Sequence, residues 1–145
     1  MNNDHLFIRI ISLVGILGVC ALSPVQADSD DDTPLTKTME ETSEAIKTLR
    51  KIDRDDWKSG AELARKAADG IRRGMEYIPW LIEEMPDGLE KTKAIADYRR
   101  LMGLSYADLC ELELAYLDQD AEKVDEVMTR VKAGKKEGHK KYSDD

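Results

Sequence analysis

The stretch TPLTKTMEETSEAIKTLRKI, residues 33–52, decides the fold class. Leu35, Met39, Thr42, Ile46, Leu49 and Ile52 recur at intervals of three and four. That spacing puts them on one face of an α-helix. Thr33 supplies a capping hydroxyl, and Pro34 suits the first helical position. Three more stripes of this kind follow. Trp57, Ala61, Ala64, Ala68, Ile71, Met75 and Ile78 trace a second helix, capped by Asp55 or Asp56. Gly60, Gly70 and Gly74 weaken it by roughly 1 kcal/mol each relative to alanine. Pro79 through Gly88, with Trp80 inside it, reads as a long connection.

A third helix is predicted from about Leu89 to Leu117. Its stripe is Ile95, Tyr98, Met102, Ser105, Leu109, Leu112 and Tyr116. Asp118-Gln119-Asp120 makes a turn, with Asp120 as the next cap. The fourth stripe is Val124, Met128, Val131, Lys135, His139 and Tyr142. No strand-type alternation competes. The expected fold is all-α: an antiparallel up-down-up-down four-helix bundle over residues 34–143.

Upstream, residues 10–22 form an apolar run too short to span a bilayer comfortably. Ser23 to Ala27 follow with small residues at the cleavage positions. Residues 1–27 thus read as a signal peptide cut after Ala27, with an uncleaved anchor as the alternative. Residues 28–33 form an acidic, disordered lead-in. The expected location is periplasmic, with no stable membrane association after cleavage. The removed segment holds one Arg and one Asp, so the net charge stays at −8. It also holds Cys20 and His5, which leaves Cys110 and His139 as the sole cysteine and histidine of the mature chain. Cys110 sits in an apolar stripe and reads as a buried core thiol.

These counts exclude several functions. An acidic chain lacks the basic face of a nucleic-acid binder. Two cysteines cannot build a disulfide scaffold or an iron–sulfur site. No Ser–His–Asp or Cys–His arrangement is available, so an enzyme is not expected. A di-iron bundle needs Glu-x-x-His motifs on two helices, and one histidine cannot supply both.

The bundle path gathers the remaining chemistry at one end. Met39 lies near the start of the first helix and His139 near the end of the fourth. Met75, Ile78 and Pro79 arrive at the same end from the second helix, and Ile95, Tyr98 and Met102 from the third. Imidazole and thioether are the axial ligands of many electron-transfer haems, where the thioether raises the potential. Taken singly, a methionine on a stripe is core filler and a histidine near a chain end is solvated. Met75 is the next candidate ligand and a candidate cofactor contact.

Three motifs add a family likeness. Leu35-Thr-Lys-Thr-Met39-Glu40 is followed by Ile46-Lys47. Asp97-Tyr98-Arg99 lies within the third helix, and Gly138-His139-Lys140-Lys141-Tyr142 closes the fourth. Together they resemble the soluble cytochrome b562 family over about Pro34 to Tyr142. The resemblance implies a periplasmic electron-transfer bundle that holds one non-covalent b-type haem per chain. It implies Met39 and His139 as iron ligands, with Tyr98 and Met102 packing on the porphyrin. Two departures border that site. Gly138 replaces an aromatic residue, and the connection carrying Trp80 is longer. Residues 135–139, Lys-Lys-Glu-Gly-His, lack the cysteines by which cytochrome c′ bundles attach haem covalently. A monomer is expected, with an acidic surface that suits basic redox partners. The alternative is a haem-free periplasmic bundle that serves as a binding or chaperone-like module.

Overall fold

The computed structural model describes residues 33–143. The expected signal peptide, and all of the acidic lead-in except Thr33, lie outside the described residues. Those described are all-helical, with no strand. The helices are α1 (Pro34–Leu49), α2 (Trp57–Gly74), α3 (Trp80–Glu83), α4 (Leu89–Leu117) and α5 (Ala121–Tyr142). α1 packs on α2, α2 on α4, and α4 on α5, while α1 and α5 share no comparable packed face.

Local chemistry sets the starts. The Thr33 hydroxyl accepts the Thr36 amide at 3.1 Å, with Pro34 in the first turn. Asp56, rather than Asp55, caps α2 by accepting the Ser59 amide at 3.2 Å. Asp120 caps α5 through the Lys123 amide at 3.0 Å. Each satisfies a donor that the first helical turn leaves free.

The buried face of α1 is Thr38, Thr42, Ala45, Ile46 and Leu49. It is rotated from the expected stripe, so Leu35 and Met39 are only half-buried at its edge. The two threonines enter the core because their hydroxyls donate to the Leu35 and Thr38 carbonyls, both at 2.8 Å. Ile52 falls beyond the helix end.

α2 buries a face of small residues: Gly60, Ala61, Ala64, Ala67, Ala68, Gly70, Ile71 and Gly74. Its glycines mark close approaches. A Cβ at Gly60 would lie 2.2 Å from the Tyr116 ring, and one at Gly70 would lie 2.1 Å from the Thr42 hydroxyl. At Gly74 it would lie 2.5 Å from the Met39 methyl and 2.9 Å from the Met102 methyl. The lost helix propensity is thus exchanged for contact with α1 and α4.

α2 stops at Gly74, before Ile78. The Gly74 carbonyl, which would receive the Ile78 amide in a longer helix, instead accepts the Tyr77 amide and the Tyr98 hydroxyl, each at 3.2 Å. Pro79 has no amide to donate and biases Ile78 away from helix. The connection is not featureless. It contains the single turn α3, whose Ile82 is 1% exposed.

α4 has its expected bounds and buries Tyr98, Leu101, Met102, Leu109, Leu112, Ala115 and Tyr116. Cys110 is half-buried against the core rather than within it. α4 ends in a left-handed turn at Gln119 (φ 57°), closed by the Asp120 amide on the Ala115 carbonyl at 2.9 Å. α5 buries Val124, Val127, Met128 and Val131, and full burial ends there. Lys135 and His139, expected on its inward stripe, are exposed. The half-buried residues in this stretch are Gly134, Gly138 and Tyr142.

Two stability outcomes follow. Gln119→Gly removes the cost of a left-handed side-chain residue and is expected to stabilise the fold by about 0.5–1 kcal/mol. Gly60→Ala is expected to destabilise it by about 1–3 kcal/mol, because the Tyr116 ring must move. Urea unfolding of both variants measures each sign directly.

Candidate functional site

The unpacked side between α1 and α5 is a cleft of about 900 Å³. Its α1 wall includes Leu35, Met39, Thr42, Ser43 and Ile46. Ile71, Leu109 and Val131 are buried core residues that also line it. Tyr98, Leu101, Met102 and Ser105 come from α4, and Gly134, Lys135, Gly138, His139 and Tyr142 from α5. The volume is near the upper end for small-molecule sites, and the lining mixes apolar residues with polar and charged ones, among them Glu40, Glu76, Glu83, Lys135 and His139.

Four of the five expected site residues line this one cleft: Met39, Tyr98, Met102 and His139. Their burial differs. Tyr98 and Met102 are buried, Met39 is half-buried, and His139 is exposed. The fifth, Met75, does not line the cleft. It follows the last residue of α2 and packs half-buried against the core. Spacing placed it on the α2 stripe, but the helix ends before it. Among the described residues, no group of three or more His, Cys, Asp or Glu side chains is arranged to hold a metal ion.

Packing positions the wall. The Met39 and Met102 methyls meet over Gly74, where any side chain would collide with both. Tyr98 donates to the Gly74 carbonyl, and burial pushes its phenol up to about 12. It therefore stays neutral and keeps its proton for that bond. Gly134 and Gly138 leave space on the α5 side: a Cβ would meet only the Ser105 hydroxyl at 3.6 Å from the first, and nothing within 4 Å from the second.

A polar clasp holds the end of α5. Asp97 accepts the Tyr142 hydroxyl at 2.8 Å and Lys141 Nζ at 3.0 Å. Arg100 donates to the same carboxylate at 2.8 Å. The Tyr142 ring meets Tyr98 edge-to-face, with centroids 5.7 Å apart at 86°. Across the mouth, Lys135 Nζ reaches Ser43 Oγ at 3.3 Å. Sequence reading named Asp97 only within a motif. Its role as a clasp is tertiary, because its partners lie 44 and 45 residues away.

Hydrogen bonds from Lys141, Tyr142 and Arg100 hold the Asp97 carboxyl far below its ordinary value near 3.8. A depressed carboxylate contributes stability above its unfolded pKa and loses that contribution as pH falls. Asp97→Asn is therefore expected to be less stable than the parent at pH 7. The gap should begin to narrow as pH drops below about 4 and vanish only as pH approaches the much lower folded value. Urea midpoints at pH 7 and pH 3 check this, and a gap unchanged at pH 3 would contradict it.

The chain matches no family model, no curated protein and no solved structure.

Proposed function

We propose that the protein is a periplasmic electron carrier that holds one non-covalent b-type haem per chain in the cleft between α1 and α5. The observation that carries this reading is the meeting of one thioether, Met39, and one imidazole, His139, in a single large cleft. The donor set fits the group, since both side chains are established haem ligands and together leave no open iron position. Tyr98 and Met102, which line the cleft, fit it too, because they offer flat and soft surfaces for a conjugated ring. In this reading the helices run up, down, up and down, and the likeness to soluble cytochrome b562 rests on the three motifs.

Haem supplies a one-electron couple at the iron. The chain does the rest. Met39 and His139 would bind the metal, and the thioether would raise its potential. Tyr98 and Met102 would exclude water from one side, which favours the less charged reduced form. The Asp97 clasp would keep the α5 wall in place while the electron moves. The negative surface would favour weak, salt-sensitive docking of basic partners. The protein would act as a monomer.

One observation favours a second reading, a haem-free binding or chaperone-like module. His139 lines the cleft but is exposed, where the haem reading would bury its imidazole against the ring.

Titration of the purified protein with hemin separates the two. The first reading expects a stoichiometric low-spin Soret and α band at one hemin per chain. His139→Ala should abolish that spectrum, and Met39→Ala should turn it high-spin with a lower potential. Absence of any stoichiometric change in the parent protein would overturn the haem reading. A low-spin spectrum unchanged in Met39→Ala would assign the second ligand elsewhere.

A further inference from the structure

The connection between α2 and α4 supplies a further wall of the cleft. Tyr77, Ile78, Pro79, Trp80 and Glu83 all line it. Trp80 is 40% exposed, an unusual state for an indole in a chain this polar. Its exposure does not come from a loose backbone. Pro79 before it is buried, and Ile82 two residues on is 1% exposed. Lys91 Nζ ties the far end of α3 by donating to the Glu83 carbonyl at 2.9 Å. One turn of helix thus plugs Ile82 into the core and presents Trp80 at the mouth.

We infer that Trp80 is a ligand-contact residue that covers the edge of a flat conjugated ring held in the cleft. This rests on the haem reading and names a residue that neither the Met/His pair nor the family motifs supply. Three observations converge on it. Trp80 lines the same cleft as Met39 and His139. Its backbone is anchored by buried neighbours, so binding need not order the segment that carries it. Its surface is uncovered in the chain alone, and covering an aromatic face with another ring is favourable beyond the area buried. The contact involves no charge and no bond making, so it sets retention rather than electron transfer.

The test is the rate at which hemin leaves the loaded protein for excess apomyoglobin. Trp80→Ala and Trp80→Leu are expected to release hemin about tenfold faster than the parent, while Trp80→Phe stays within about twofold. The leucine variant preserves apolar bulk, so it decides the question even if the alanine variant loses structure. Parent protein that binds hemin, with both variants releasing it at the parent rate, would overturn the role of Trp80 alone. Parent protein that shows no stoichiometric hemin spectrum would overturn both this role and the haem reading.

Discussion

The open side of this fold depends on one carboxylate. Beyond Val131, α5 carries no fully buried apolar residue for three turns, so hydrophobic packing holds it only through the half-buried Tyr142, too little to fix the helix. Asp97 does so instead. It gathers Lys141, Tyr142 and Arg100, and the Tyr142 ring then abuts Tyr98. A wall held at its end by polar contacts need not collapse on the opposite helix. An apolar contact in the same place would close the cleft between α1 and α5, because burying that surface is favourable. The clasp therefore gives the helix a fixed position and leaves its inner side uncovered.

The opposite wall rests on the reverse principle. α2 presents glycine and alanine to its neighbours, so α1 and α4 approach closely and their longer side chains meet over its backbone. Gly74 is one such case, beneath the methyls of Met39 and Met102, two residues that line the cleft. One wall is close-packed and the other is tethered. The cavity lies between them, with α3 bounding it at the connection. At the far end, Tyr116 against Gly60 and Trp57, together with the Arg54–Asp125 pair at 2.6 Å, ties the remaining turns.

Much of this was legible in the residues. α4 starts and ends at its expected bounds, since Gly88 and the 118–120 turn are strong local signals. The caps at Thr33 and Asp120 are local as well. Met39, Tyr98, Met102 and His139 reach one cleft, as the sequence reading expected. The misreadings have tertiary causes. The stripe through Met75 and Ile78 ran past a helix end set in part by the Tyr98 hydroxyl, 24 residues away. The α5 stripe continued through Lys135 and His139, but no helix packs there to bury them. α3 escaped notice because a four-residue turn is too short for any period to register. The glycines of α2 were read as losses because their partners lie on other helices.

The end of core burial at Val131 also sets a scale for motion. Residues 132–142 include the Asp97 hydrogen bonds of Lys141 and Tyr142 and the Tyr142–Tyr98 ring contact, but no fully buried residue. Such a segment can come away while uncovering little more of the interior than Tyr98, at a free energy well below that of global unfolding. Under the proposed haem reading, the ring would enter sideways by transient release of this arm, with α1, α2 and α4 as a standing scaffold. Amide exchange in the last three turns of α5 would be fast beside that of Leu109 and Leu112, and the difference would measure how cheaply the door opens.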